Sequence, residues 1–88
     1  MPELRPVKTG MGEEAASRMI RTAVSSTTVI SIGYEKNSAL LEVEFTSGAV
    51  YRYFSVSEHI YRELLSAASV GKTMGEVVIG KYSYMRVR

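Results

Sequence analysis

An alternation of apolar and acidic residues at positions 41–45, Leu-Glu-Val-Glu-Phe, constrains the fold of this chain more than any other feature. A period of two belongs to a β-strand with one buried and one solvated face, because a helix repeats its faces every 3.6 residues. Similar segments, rich in β-branched and aromatic residues, precede and follow it across turns at residues 35–38 and 46–48. The sequence therefore predicts an antiparallel three-stranded meander, with Glu42 and Glu44 on the solvent side. The predicted strands are Val29–Tyr34, Ala39–Phe45 and Ala49–Phe54.

The turns also predict the register of the strands. The predicted pairs are Leu41 with Tyr53, Val43 with Tyr51 and Glu42 with Arg52 across the second turn, and Tyr34 with Ala39, Ile32 with Leu41 and Ile30 with Val43 across the first. They gather the apolar side chains on one face: Ile30, Ile32, Leu41, Val43, Phe45, Tyr51 and Tyr53. On the other face, Glu42 and Arg52 form a complementary charge pair. A slip of one residue would move the apolar set into water, so the pattern opposes it.

Helical spacing occurs on both sides of the strands. Ser55 and Glu58 have the spacing of a capping box, with Ser57 as a second cap candidate, and Gly71 is predicted to end the helix that follows. We expect the apolar stripe of this helix to cover the sheet; it comprises Ile60, Tyr61, Leu64, Leu65 and Ala68. Three further elements are predicted: a short helix over Glu13–Val24, a short helical piece over Met74–Ile79, and a last strand or extended tail over Tyr82–Val87.

The expected fold class is therefore α+β. It consists of a three-stranded antiparallel β-meander packed against an α-helix, with an additional short N-terminal helix and a short C-terminal helix or strand. Two prolines and a Gly10-Met11-Gly12 break mark residues 1–24 as a lead, and residues 25–88 are expected to form the domain.

Composition excludes several kinds of site. The chain of 88 residues has no cysteine, which excludes a disulfide framework and a cysteine metal site, and His59 is its one histidine. Gly71-Lys72-Thr73 ends like a phosphate-binding loop, but Ser66 stands where the first glycine belongs. We therefore expect a protein that is not an enzyme and that binds no cofactor and no metal. The sequence contains no apolar run of the length of a secretory signal or membrane span, which predicts a cytoplasmic protein without membrane attachment.

Positive charge is concentrated in the second half of the chain. Residues 49–88 contain six basic and three acidic side chains, a net charge of +3, against +2 for the whole chain. Because aromatic rings stack on bases and basic side chains bind phosphates, this segment predicts nucleic-acid binding. The candidate phosphate contacts are Arg52, Lys72, Lys81, Arg86 and Arg88, and the candidate stacking rings are Tyr82 and Tyr84. Tyr51 and Tyr53 fall on the apolar face and are interpreted as core residues, and the spread basic side chains are also compatible with plain solvation.

An ordered set of short motifs runs through the predicted domain. The motifs are Ile32-Gly33-Tyr34, Leu41-Glu42-Val43-Glu44-Phe45, Gly48, Tyr51-Arg52-Tyr53, Val56, Tyr61, Leu64-Leu65, Ala68-Ser69, Gly71-Lys72 and Tyr82. The set resembles the KTSC domain family, a domain of about sixty residues at the C-terminus of some lysyl-tRNA synthetases that also occurs in stand-alone bacterial and phage proteins. The resemblance covers Ser25–Arg88 and implies structural roles for family-motif residues: Tyr34, Tyr51, Tyr53 and Gly71.

The chain departs from the family pattern at three points. Glu35 replaces an aspartate, Ser57 replaces a proline, and Thr73-Met74-Gly75 replaces an aromatic-Phe-Asn stretch in what is expected to be a loop. A function carried by that loop would be lost or altered in this protein.

Two hypotheses of function follow. The first is a small non-catalytic module that binds RNA through the basic, tyrosine-containing surface; the attachment of the family to a synthetase implies RNA by association. The second is a protein-interaction or accessory module, with a homodimer as one form. Its docking surface would be the stripe in the N-terminal segment, comprising Ala15, Met19, Ile20 and Ala23. A homodimer would form through that helix or through an exposed edge of the sheet.

Overall fold

The computed structural model describes residues 19–88, which contain five strands and two helices. The strands are β1 (Thr22–Ala23), β2 (Val29–Glu35), β3 (Leu40–Phe45), β4 (Val50–Tyr53) and β5 (Tyr84–Arg86), and the helices are α1 (Glu58–Ser66) and α2 (Val70–Val77). The strands form one antiparallel sheet in the order β1-β2-β3-β4-β5. The α+β class is thus confirmed, with the predicted meander as strands β2 to β4. Two short edge strands enlarge the sheet beyond the three-stranded meander: β1, which was not predicted, and β5, which lies within the last strand or tail predicted over Tyr82–Val87.

The structure corrects two helix predictions. The N-cap of α1 is Ser57, the second of the two cap candidates, rather than Ser55, since Ser57 has extended backbone angles, φ −73° and ψ 153°, directly before the helix. The helix predicted over Glu13–Val24 is wrong at its C-terminal end, because Thr22–Ala23 pairs with β2 as a strand. Residues 13–18 of that prediction lie outside the described residues. The predicted domain boundary at residue 25 stays a prediction, although the last residues of the lead belong to the sheet.

Gly71 does not end α1 as predicted but is the second residue of α2. This helix begins there because the Ser69 side chain accepts a hydrogen bond from the Lys72 amide at 3.3 Å. A Cβ at Gly71 would lie 2.4 Å from Thr28 Oγ1, so the close approach of α2 to the loop before β2 requires glycine. The stretch Thr73-Met74-Gly75, expected in a loop, lies inside α2, and its methionine is buried in the core.

The register between β3 and β4 is confirmed, whereas that between β2 and β3 differs from the prediction by two residues. Glu42 faces Arg52 as predicted, but Tyr34 faces Leu41 instead of Ala39. The turn lies one residue later than predicted, and Ala39 takes a left-handed backbone conformation with φ 54°. Because the error is an even number of residues, the paired side chains keep their predicted faces.

A β-bulge at the start of β2 changes the face of one residue. Val29 faces Phe45 and Ser31 faces Glu44, so Ile30 has no partner of its own across the strands. Val29 is buried, whereas Ile30 is 41% exposed. The prediction that Ile30 belongs to the apolar face is therefore wrong, and Val29 takes its place.

The core lies between the two helices and the face of the sheet that we call the helix face. Its buried members are Val29, Ile32, Leu41, Val43, Tyr53, Val56, Leu64, Val70, Met74 and Val78. The Tyr34 ring stacks on Tyr61 of α1 with 5.3 Å between centroids, and its hydroxyl donates to the Val56 carbonyl oxygen at 2.5 Å. Partial burial, with a smaller contribution from Glu58, raises the pKa of the Tyr34 hydroxyl. These contacts anchor α1 over β2 and leave the opposite end of the face, at β4 and β5, more open.

Candidate nucleic-acid interface

Four aromatic side chains, which we call the aromatic row, lie at the β4–β5 end of the helix face. They are Phe45, Tyr51, Tyr53 and Tyr84. The Tyr51 and Tyr84 rings are stacked, with 5.3 Å between centroids and 14° between planes, and Phe45 meets Tyr51 edge-on at 5.5 Å. Tyr84 is 58% exposed, whereas Tyr53 is buried beneath it. The row therefore presents one ring to solvent on a support of three others.

An open groove of about 360 Å³ adjoins the Phe45 end of the row. Its lining residues are Thr28, Phe45, Thr46, Ser47, Ala49 and Tyr51. Two rings and four hydroxyl groups, one of them on Tyr51, thus share one concavity. This mixture suits a ligand with an apolar body and a hydrogen-bonding edge, as a nucleobase has.

The predicted contact residues are spread over the domain. Arg86 faces Tyr51 across β5 and β4, which places it beside the aromatic row. Lys72 near the start of α2 and Lys81 in the turn after α2 are both exposed. Tyr82 is half-buried against the core, whereas Tyr84 is exposed. Whether these residues bind nucleic acid stays a prediction.

The opposite side of the sheet, which we call the arginine face, carries a buried charged network. Glu42 is only 2% exposed, so the prediction that it lies on the solvent side is wrong. Its two carboxylate oxygens accept hydrogen bonds from Arg21 Nη1 and from Arg52 Nε, the second at 2.7 Å. Arg21 reaches Glu42 because its backbone crosses close to Gly33, where a Cβ would lie 2.5 Å from the Ile20 carbonyl oxygen. Arg52 is held in this network, with its side chain 11% exposed.

Glu44 extends the network on the arginine face. It accepts hydrogen bonds from Ser31 Oγ at 2.9 Å and Arg88 Nη2 at 2.8 Å, and Arg21 Nη2 lies 3.6 Å from its Oε1. The Ser31 hydrogen bond holds the pKa of Glu44 below its usual 4.5; the Arg21 and Arg88 guanidinium groups act in the same direction, against partial desolvation. Sequence reasoning found only the Glu42–Arg52 pair of this network, because its other members come from distant parts of the chain.

The described part of the chain carries few other features of a reactive site. His59 is an exposed residue of α1, and its Nε2 lies 3.9 Å from Glu63 Oε1. Residues 19–88 bring together no group of three His, Asp or Glu side chains that could hold a metal ion. No helix within the same range is long and apolar enough to cross a membrane.

Comparison with known proteins places the chain in a family. A family model of the KTSC domain matches residues 25–82. The chain belongs to the KTSC domain family. The crystal structure of a KTSC domain protein from Yersinia pestis superposes with a TM-score of 0.77 at 33% sequence identity, over 80% of this chain and 99% of that one.

KTSC relatives of this chain differ in size. An uncharacterised protein of Stutzerimonas stutzeri is 40% identical over 70 residues, which is 78% of this chain and 99% of that protein. Lysine–tRNA ligases of Nostoc punctiforme and Trichormus variabilis are 35% and 39% identical over 51 residues, or 58% of this chain but 9% of each ligase. The KTSC domain thus makes up most of one small protein and a minor part of two larger enzymes.

The four family-motif residues all have packing contacts in this KTSC domain. Tyr34 joins α1 to the sheet through Tyr61, and Tyr53 is a core residue. Tyr51 supports Tyr84 in the aromatic row. Gly71 allows α2 to approach the loop before β2.

Proposed function

We propose that this KTSC domain binds single-stranded RNA with Tyr84 as its stacking platform. The geometry of Tyr84 carries the proposal: one ring face is stacked on Tyr51 and more than half of the residue is exposed, so a base can continue the stack. Phe45 holds Tyr51 edge-on from the other side. Because the support is already assembled, little ordering would be required when RNA binds.

Charge and context also support this proposal. Arg86 lies on the same face as Tyr84, two residues along β5, where it can contact a phosphate while a base stacks on the ring. The net charge of +3 in residues 49–88 attracts a polyanion. Single strands are favoured over duplexes because their base faces are available for stacking. The relation to two lysine–tRNA ligases supports RNA as the nucleic acid.

Fluorescence anisotropy with a labelled single-stranded RNA at low salt tests the proposal. Tyr84→Ala is expected to weaken binding by about 5- to 150-fold, because stacking of a base on an aromatic side chain contributes about 1–3 kcal/mol. Tyr84→Phe keeps the ring and should bind like the unmodified protein. Arg86→Gln should lower the slope of log Kd against log salt by about 0.7, the share of one phosphate on a single strand.

Leu65→Ala provides a matched control, since Leu65 is an exposed apolar residue on α1 away from the aromatic row. It should leave RNA affinity unchanged. Absence of binding by the unmodified protein at about 50 μM, a very weak affinity for a specific complex, would overturn the proposal. Equal binding by Tyr84→Ala would do the same.

The second candidate function is protein interaction through β5. This strand forms an edge of the sheet; Met85 is exposed on it, and Val87 is exposed just after it. The docking helix predicted in the N-terminal segment has less support: Ile20 is exposed outside any helix, Ala23 belongs to β1, and Ala15 lies outside the described residues. A concentration-dependent dimer in sedimentation that Met85→Lys disrupts would favour this second function over RNA binding.

A further inference from the structure

The arginine face contains a pocket that the RNA proposal does not use. It has a volume of about 160 Å³ and is lined by Arg21, Glu42, Val50, Arg52, Val87 and Arg88. Three of its six lining residues are arginines. A pocket of this volume has room for ordered water or for one small tetrahedral anion.

Arginine side chains predominate around the pocket. The guanidinium groups of Arg21, Arg52 and Arg88 meet the carboxylates of Glu42 and Glu44 there. Burial of Glu42 and most of Arg52 keeps water and salt from screening these charges as they would at an open surface. An anion that enters the pocket would therefore meet guanidinium groups whose charge is poorly screened.

Both carboxylates are already satisfied, and donors remain for a ligand. Glu42 accepts from two arginines, and Glu44 accepts from Ser31 and Arg88. A guanidinium group has five N–H donors, and the described contacts of Arg88 use one of them, on Glu44. Arg88 is also 59% exposed at the side chain, so it can turn its remaining donors toward an incoming anion.

The backbone at the end of β5 places this arginine at the pocket. The Val87 and Arg88 amides both donate to the Val50 carbonyl oxygen, at 2.7 Å and 3.2 Å. Two residues therefore stand opposite one, as in a β-bulge, and the strand bends there. Val87 and Arg88 both lie at the pocket as a result, the first as an apolar wall and the second as a donor.

We propose that this pocket binds a phosphate group. Arginine matches phosphate because its planar donors pair with two oxygens at once, and a cluster of arginines recurs where proteins recognise phosphates. Inorganic phosphate and the terminal phosphate of a nucleotide or oligonucleotide share this chemistry. The proposal is independent of RNA stacking, because the pocket and the aromatic row lie on opposite faces of the sheet.

Amide chemical-shift mapping of the full chain with sodium phosphate, at constant ionic strength adjusted with chloride, tests the proposal. We expect saturable shifts at Val50, Arg52, Val87 and Arg88, with half-saturation at about 1 mM or below. Arg88→Gln should weaken phosphate binding at least about tenfold, and Arg88→Lys should weaken it less. Arg62→Gln is the matched control with the same change of charge: Arg62 is exposed on α1 and pairs with Glu58, so it should have no effect.

Val87→Glu is a second variant in case Arg88→Gln perturbs the fold. It adds a carboxylate at the rim of the pocket on a residue that is already exposed, and it should abolish the saturable shifts by repulsion. Shifts that do not saturate, or equal affinity in Arg88→Gln and Arg62→Gln, would overturn the proposal.

Further measurements distinguish the source of the phosphate and separate this proposal from RNA stacking. An oligonucleotide with a 5′-phosphate that shifts the pocket residues, while the 5′-hydroxyl form does not, would support recognition of a terminal phosphate. Pocket shifts with inorganic phosphate but with neither oligonucleotide would support recognition of the free anion. Tyr84→Ala should retain phosphate binding even where it loses RNA. Loss of phosphate binding in Tyr84→Ala would contradict two separate sites.

Discussion

The carboxylate of Glu42 is expected to be the most consequential single charge in this domain. Glu42→Gln preserves the shape of the side chain but removes its charge and replaces one acceptor oxygen with a donor. Arg21 and Arg52 would then lose a shared counter-ion on the arginine face, and one of them would meet an NH₂ group instead of an oxygen. The structure therefore predicts a large loss of stability from a change of one atom type.

The magnitude follows from the contacts. Two hydrogen bonds between charged partners contribute about 1.5–3 kcal/mol each, and breaking a buried ion pair by removal of one partner costs about 3–5 kcal/mol. Because the arginine side chains keep some access to water, at 22% and 11% exposure, we expect the lower end, about 3 kcal/mol. A chain of 88 residues has a total stability of about 4–13 kcal/mol, so this loss is a substantial fraction of it.

Urea unfolding monitored by far-UV circular dichroism measures this loss of unfolding free energy. In thermal unfolding, the melting temperature should fall by about 12–24 °C. Glu63→Gln is the control, an exposed carboxylate on α1 whose loss should change stability by less than about 0.5 kcal/mol. The double variant Arg21→Gln/Glu42→Gln should lose less than the sum of the single variants, because the two residues share an interaction. A loss of unfolding free energy below about 1 kcal/mol in Glu42→Gln, with an unchanged slope of that free energy against urea concentration, would refute the reasoning. The contacts of Glu42 with its arginines would then contribute no more than a surface ion pair does.

Three further predictions concern stability. Gly33→Ala should destabilise the fold by about 1–3 kcal/mol in urea unfolding, since its Cβ would lie 2.5 Å from a backbone oxygen. Gly75→Ala, its control, should stabilise α2 by about 0.5–1 kcal/mol, because alanine is the better helix former and no atom lies within 4 Å of the added Cβ. Glu44, with its pKa lowered by the Ser31 hydrogen bond, should contribute stability that is present above pH 4.5 and lost as pH falls through its lower folded-state pKa, so Glu44→Gln should flatten the acid limb of a stability profile. Burial, with smaller contributions from neighbouring tyrosines, raises the pKa of Tyr53, so stability should decline as pH rises above 10; Tyr53→Phe should reduce that decline in alkaline unfolding curves.

Each of these predictions has a result that contradicts it. Equal stability of the two glycine variants would show that the backbone before β1 yields to a methyl group at no cost. An unchanged acid limb in Glu44→Gln would mean that other carboxylates dominate the acid dependence. An alkaline unfolding curve that Tyr53→Phe leaves unaltered would assign the decline in stability to other groups.

Local signals account for the parts of the fold that were predicted from the sequence. The alternation at positions 41–45 and the flanking turns were sufficient for β2 to β4 and for the β3–β4 register. The β2–β3 register was missed because Ala39 adopts a left-handed conformation that its residue type does not signal, and Ile30 was misplaced by the bulge. Strand β1 spans two residues, too few for periodicity to indicate it, whereas β5 lies within the stretch predicted as a last strand or extended tail.

The candidate sites show the same division between local and distant information. Tyr84 and Arg86 were predicted as binding residues from their place in the basic, tyrosine-containing second half of the chain, and the structure shows that they share one face. The burial of Glu42 could not be read from the alternation, because a period of two separates two faces without saying what covers each. Its cover includes Arg21, which lies 21 residues earlier in the chain.

The short strand β1 has a consequence for how this protein can be shortened. It pairs with the outer side of β2, so two residues cover part of the edge of a seven-residue strand. A version that starts at residue 25, where the family match begins, would lose this cover together with Arg21 and would present unpaired backbone groups along β2. An exposed strand edge next to a buried carboxylate that keeps Arg52 but loses Arg21 favours edge-to-edge aggregation of such a shortened chain.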